Sequence, residues 1–258
     1  MSAKLPAVSR RQFLVASGGV AVAGVGLVAC GSNPSEQAGS STALSDDPLP
    51  LTALTPAMFD DIGTCGLTQA TGEGPFPTAE PLNRSEIHEG LPGHPLRLGL
   101  RVIDSACEPI AGVAVDVWHT DATGDYSEFT DGGSGKDEGE GSSFCRGFQV
   151  SDTDGIVDFQ TIYPGWYGGR AVHIHVAVDM DGERVYASQL YFDEAYTEEV
   201  LTTGVYAQFG PAATTLASDR IAGDPAEDGQ LLTLASAETS TGTGTLALVN
   251  LGIDLPDT

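Results

Sequence analysis

An all-β sandwich with long connecting loops is the fold class this chain predicts. Three observations carry that expectation. Apolar residues alternate with polar ones in short runs, the runs recur at short spacing, and 33 Gly and 15 Pro interrupt the chain between them. A hydrophobic fraction of 41% across 258 residues is enough for one large core. No internal repeat is visible.

In chain order, residues 1–30 read as a removable address. Ser9-Arg10-Arg11-Gln12-Phe13-Leu14 is a twin-arginine pattern, followed by an apolar run from Val15 to Leu27. As a helix that run would reach roughly 20 Å, short of the roughly 30 Å hydrocarbon core of a bilayer. Leu27-Val28-Ala29-Cys30 resembles a bacterial lipobox, in which Cys30 is lipidated and becomes the mature N-terminus. The expectation is twin-arginine export as a folded protein, followed by lipid anchoring at the outer face of the cell membrane, or secretion. Residues 31–50, rich in Ser, Ala, Gly, Pro and Asp, predict a disordered tether. The domain proper is 51–258.

Within the domain, Thr55 to Asp61 predicts a short helical turn. The Gly and Pro density of Ala70 to Pro77 demands a shaped loop. Leu96, Leu98, Leu100 and Val102 alternate with Arg97 and Arg101, which predicts a half-buried strand. Val113–Trp118 predicts a second strand after the turn at Ser105–Pro109. Asp131–Ser143, Gly, Ser and acids apart from Lys136, predicts a solvated loop. Phe148–Val150, Ile156–Phe159, His173–Val178 and Val185–Phe192 predict further strands. Asp193–Thr202 predicts a helix with its start near Thr197-Glu198-Glu199, and Leu231–Leu234 and Thr245–Leu251 predict closing strands.

The charge balance excludes one class of function. Eleven basic residues face 36 acids, a net charge of −25. Lys4, Arg10 and Arg11 belong to the leader, which holds no acid, so the rest of the chain has 8 against 36, or −28. Such a surface repels nucleic acid and anionic headgroups. If Cys30 carries lipid, Cys65, Cys107 and Cys145 remain, enough for one intramolecular disulfide; the sequence leaves the pair open.

The chemistry concentrates in Thr161–Val178, TIYPGWYGGRAVHIHVAV. A strand sends alternate side chains to one face, so His173 and His175 point together with Ile174 opposite. Two imidazoles on one face form half of a metal site. Tyr167 stands six residues before His173, after a Pro164-Gly165 turn, and Arg170 lies between. A second tyrosine, Tyr126, sits in a strand-end loop after Ala122-Thr123-Gly124.

The segments EGPFP, VDVWHTDATGDYS, FCRGFQVSDTDGIVDFQTIYPGWYGGRAVHIHV and SQLYF resemble the intradiol ring-cleavage dioxygenases. They look most like the secreted relatives of the protocatechuate 3,4-dioxygenase β subunit. The likeness runs from about Cys65 to Phe192. It implies the β-sandwich of the intradiol dioxygenase (transthyretin-like) type. It also implies a non-haem Fe(III) cofactor held by Tyr126, Tyr167, His173 and His175. The implied reaction cleaves a catechol-type diol with O2 to a cis,cis-muconate-type dicarboxylate, with Tyr167 taking a substrate proton. By the same resemblance Arg170 stabilises charge on the substrate, and Gln189 contacts the substrate or orients the arginine. Trp166 and the Gly74-Pro75-Phe76 loop line the ring pocket, and His119 donates near Tyr126 without being a ligand. The donor types suit a ferric ion, a hard trication that favours anionic oxygen.

The loop sequence QATGEGPFP departs from the usual QTEGPYY form by one added residue, and there is no basic cluster for a ring carboxylate. The implied partners are a small aromatic diol and O2, with a membrane only through Cys30; the resemblance leaves a homo-oligomer open. Two competing readings are a non-catalytic exported β-sandwich ligand-binding module, and copper or zinc storage through His-x-His. The second lacks a thiolate or further histidines.

Overall fold

The computed structural model describes residues 52–62, 65–78, 80–129 and 141–254. The leader with Cys30, the 31–50 tether and residues 131–140 of the acidic loop lie outside the described residues.

Eight strands form two four-stranded sheets. They are β1 (Pro95–Ile103), β2 (Ala114–Trp118), β3 (Arg146–Val150), β4 (Ile156–Ile162), β5 (His173–Met180), β6 (Glu183–Tyr191), β7 (Thr233–Thr239) and β8 (Gly242–Gly252). The first sheet runs β4-β1-β8-β7 and the second β3-β2-β5-β6. The β1–β8 pairing is parallel and the others are antiparallel. The alternation read in β1 is real: Leu96, Leu98, Leu100 and Val102 are fully buried between the sheets. They meet Val115 and Val117 of β2 and Ile174, Val176 and Val178 of β5 in one apolar cluster. Burial of this interface is the principal stabilisation of an all-β sandwich.

The outer face of the first sheet is covered by the segment around helix α1 (Ala57–Asp60), whose Phe59 packs on Ile156, Leu246 and Leu248. Arg97 points to that face, yet it is 2% exposed because the segment covers it and Asp158 pairs with it at 2.6 Å. The outer face of the second sheet is covered by loops, and it carries the site. Cys65 and Cys107 are bridged with Cα atoms 5.6 Å apart, while Cys145 is a buried free thiol.

Two elements differ from expectation. Helix α2 (Glu194–Leu201) begins directly after Asp193, not near Thr197, because the Asp193 carboxylate accepts the Tyr196 N–H as an N-cap. The strand expected at Leu231–Leu234 is Thr233–Thr239 instead, and Leu231 makes an isolated bridge to Tyr191. Among the described residues no helix is long and apolar enough to cross a membrane.

Candidate metal centre

Register places the site. On the outer face of the second sheet, Trp118, His175 and Gln189 stand side by side on β2, β5 and β6, and His173 faces Tyr191. Ile174, between the two histidines, is buried in the sandwich core. The two tyrosines arrive on loops that are tied together. Asp121 organises the first by accepting the N–H groups of Thr123 and Asp125 at 2.8 and 3.1 Å. Gly165 N–H donates to the Asp121 carbonyl and Thr120 Oγ1 donates to the Gly165 carbonyl, which clamps the Tyr126 loop to the Tyr167 loop. Beyond Tyr126, buried Arg146 donates to Ser127 Oγ, the Ser127 carbonyl and the Phe76 carbonyl.

The four side chains converge on one point. Tyr126 Oη lies 3.5 Å from Tyr167 Oη, 3.3 Å from His173 Nε2 and 3.1 Å from His175 Nε2. Tyr167 Oη is 3.3 Å from His173 Nε2, and the two Nε2 atoms are 3.1 Å apart. The tautomers follow from the second nitrogens. His173 Nδ1 donates to the Ala171 carbonyl at 2.6 Å and His175 Nδ1 to the Glu73 carbonyl at 3.1 Å. A carbonyl can only accept, so each Nδ1 carries the proton and each Nε2 presents a lone pair. Two lone pairs therefore stand 3.1 Å apart, and in the metal-free protein the Tyr126 and Tyr167 hydroxyls are placed to donate to them, one to each ring.

Electrostatics hold the set neutral. Burial first, then the Arg170 charge, depresses His173 to about 3. Burial, then His173 and Arg170, pushes His175 well below the usual imidazole range. Burial and the neighbouring Tyr167 raise the Tyr126 phenol well above its ordinary value. Burial also raises Tyr167, against the opposing pull of Tyr126 and Arg170. Four neutral donors with lone pairs gathered at one buried point suit a cation, whose binding would release the phenol protons. Donors about 2.0–2.1 Å from a common ion would stand about 3–3.5 Å apart, the spacing seen here. No cluster of three or more His, Cys, Asp and Glu side chains is placed to hold an ion among the described residues. The phenols thus set the preference, and a hard, highly charged ion is the best match.

Supporting residues fix the donors. Trp118 stacks on His175 with ring centroids 4.8 Å apart and planes 4° from parallel, and its Nε1 donates to the Pro75 carbonyl. Gly74, at φ +73°, passes so near that an added Cβ would lie 2.7 Å from His175 Cε1. Phe76 stacks against Tyr126 at 4.7 Å. Gln189 donates to the Gly72 carbonyl at 2.9 Å, and its Oε1 accepts from Thr71 and Arg170. Arg170 also donates to Tyr191 Oη at 3.0 Å and pairs with Asp219 at 2.9 Å.

Of the residues read from sequence, Tyr126, Tyr167, His173 and His175 are brought together, with Arg170 and Gln189 beside them. Trp166 is half-buried and donates to the Gly210 carbonyl. His119 does not donate near Tyr126. Its Nδ1 donates to the Thr120 carbonyl and its Nε2 engages Thr161 Oγ1, so both nitrogens are used in the core. Sequence reasoning missed Trp118, Arg146, Tyr191 and Asp219. Strand register was the available signal for the first three, since Trp118 pairs with His175 and Arg146, and Tyr191 pairs with His173, while Asp219 is brought in by a loop and carried none.

A family model described as Dioxygenase matches residues 76–203. The chain is 28% identical to the chlorocatechol 1,2-dioxygenase of Rhodococcus opacus over 178 residues, 57% of this chain and 65% of that protein. It is 27% identical to catechol 1,2-dioxygenase 1 of Acinetobacter lwoffii over 189 residues, 61% of this chain and 59% of that one. The chain thus spans about three fifths of the length of these curated relatives. Among solved structures, an intradiol ring-cleavage dioxygenase from Tetranychus urticae superposes with a TM-score of 0.66 at 28% identity, covering 75% of this chain and 98% of that one. With a two-sheet sandwich and this likeness in sequence and structure, the chain belongs to the intradiol ring-cleavage dioxygenase family.

Proposed function

We propose that this protein is a ferric-iron intradiol dioxygenase that opens a catechol-type ring with O2, giving a cis,cis-muconate-type dicarboxylate. The observation that carries the reading is the convergence of two tautomer-locked imidazoles and two phenols on one buried point. When bound, ferric iron would supply a Lewis acid and electron acceptor that activates the diol ring towards O2.

The residues divide the remaining work. Tyr126 is fully buried and His173 is 3% exposed, so both are fixed donors. Tyr167 is half-buried on the open side of the cluster, which suits it to turn aside and accept one diol proton on its phenolate oxygen. The Arg170 guanidinium favours negative charge on the substrate as that hydroxyl gives its proton to Tyr167. The ring breaks between the two hydroxyl-bearing carbons, and both oxygen atoms of O2 end in the product.

The substrate class follows from how the cations are engaged. Arg170 is committed to Asp219, Gln189 and Tyr191, and Arg146 to Ser127 and Phe76. The Arg170 bonds use its Nε and Nη2, and with Arg146 held away from the ring there is no pair of cations among the described residues to receive a ring carboxylate, which favours an uncharged catechol. That choice agrees with relatives named for catechol and chlorocatechol. The leader motifs support action outside the cytoplasm, anchored through Cys30 or secreted.

Oxygen uptake by the iron-loaded protein over a panel of catechols, with mass spectrometry of products made under labelled O2, tests the reading. One O2 consumed per diol, with both labelled atoms in the product, is expected. Absence of uptake across the panel, or stoichiometric zinc in a colourless protein, would overturn it.

A further inference from the structure

Asp219 follows the short 3-10 turn Leu216–Ser218, 49 residues after Arg170 and beyond the stretch that matches the family model. Its side chain is 0% exposed. The carboxylate accepts Arg170 Nε–H at 2.9 Å on Oδ2 and 3.2 Å on Oδ1. It also accepts the N–H of Ala171 at 2.7 Å, of Ile221 at 2.8 Å and of Ala222 at 3.3 Å. Such a set leaves little lone-pair capacity and fixes the carboxylate in the fold.

Two consequences reach the cluster. An arginine has a long, flexible stem and a planar fork, so holding Nε–H decides where the rest of the fork points. With Nε held, Nη2 lies 3.0 Å from Tyr191 Oη and 3.4 Å from Gln189 Oε1. Clamping Ala171 N–H also fixes the turn whose carbonyl accepts from His173 Nδ1 at 2.6 Å.

We infer that Asp219 is a positioning residue for ring cleavage: it fixes the reach and plane of the Arg170 guanidinium beside the four donors. The inference rests on the dioxygenase reading. A purely structural ion pair, tying the 216–222 segment to the sandwich, is the outcome to be separated from it.

The test compares Asp219→Asn, Arg170→Gln and the double variant in the full chain loaded with iron, with catechol as the probe substrate. Asparagine keeps the shape and an oxygen acceptor while removing the charge. The expected single-variant result is a ten- to hundredfold lower kcat (about the cost of losing an outer orienting group) with iron content and visible absorption unchanged. KM should move by less than about threefold, and the loss should vanish when Arg170 is already glutamine. Should Asp219→Asn fail to fold, Arg170→Gln and the double variant still give the comparison, and their kcat values should agree. A wild-type kcat in Asp219→Asn, a loss that multiplies independently in the double variant, or loss of iron overturns the inference.

A second readout needs no turnover. In the iron-free protein the Arg170 Nε–H proton should give a protected NMR signal that disappears in Asp219→Asn. A protected signal in a protein that cleaves no catechol would refute the dioxygenase reading and leave the pinning of Arg170 standing. An unprotected wild-type signal would refute the pinning itself.

Discussion

Strand β5 has two faces that are equally dry and opposite in character. Ile174, Val176 and Val178 are each 0% exposed and point into the sandwich, while His173 and His175, at 3% and 0%, point outward under a cover of loops. The inner face is hydrocarbon against hydrocarbon and needs nothing more. The outer face gathers two phenols and two imidazoles at one buried point, a polar arrangement that holds together through its own hydrogen bonds or around a cation. One strand thus serves the fold with its even residues and the chemistry with its odd ones.

Substituting neighbours on β5 tests that division. His175→Ala is expected to lower iron affinity by more than about a hundredfold, beyond the range for orienting groups outside the ligand set. Equilibrium dialysis against a competing chelator measures it, and unchanged affinity would remove His175 from the site. Ile174→Ala should do the reverse: lower the unfolding free energy by about 2–5 kcal/mol through a core cavity, while the folded fraction keeps iron and activity. Denaturant unfolding and iron content distinguish the two. If Ile174→Ala loses iron while still folded, the faces are not independent.

Acid should act on the buried histidines, two of them on the outer face and His119 in the core beside it. His119, His173 and His175 are buried neutral, with pKa values depressed by burial to about 4, to about 3 and well below the ordinary range. The unfolded chain takes up these protons below about pH 6.5 and the folded chain does not, so stability is lost as pH falls. Three protons correspond to a slope of about 4 kcal/mol per pH unit near pH 5. Asp116 opposes it. Burial raises its carboxyl to about 7 against the attraction of Arg184 and Arg146, so the folded state holds one extra proton there between about pH 4 and 7. These four groups alone then contribute about 2.7 kcal/mol per pH unit in iron-free protein, and His94, likewise lowered by burial, adds in the same direction. Asp116→Asn should steepen the slope towards 4, and a flat profile in urea titrations would contradict the buried neutral histidines.

The smallest expected effect is at Gly74. Gly74→Ala forces a Cβ against His175 on a backbone at φ +73°, and should weaken iron binding by about tenfold. Gly72→Ala, at φ +87° with nothing within 4 Å of the added carbon, controls for backbone strain alone. Equal losses in both variants would show that the contact with His175 is unimportant.

The same contrast explains what could be read from the chain. Period-two alternation made β1 and the His-x-His face of β5 legible, because a strand's own pattern decides which side is buried. The two phenols stand out only through resemblance, since loops carry no periodicity. Asp219 gave no signal: its partner is 49 residues away and the pairing exists only once the sheets have formed. Strand β7 was misplaced because Ala235, Ser236 and Ala237 lack β-branched alternation and are held by pairing along β8. The start of α2 was readable in principle, since Asp193 is a good N-cap residue directly after a strand.

The central claim is that Tyr126 and Tyr167 bind one ferric ion together with the two histidines. The visible absorption spectrum of the protein with one equivalent of iron, compared with Tyr126→Phe and Tyr167→Phe, tests it most directly. A broad phenolate-to-metal band that makes the protein wine-red, weakens or shifts in each variant and changes when catechol is added is the expected result. A colourless loaded protein, or a band indifferent to both substitutions, would contradict the account.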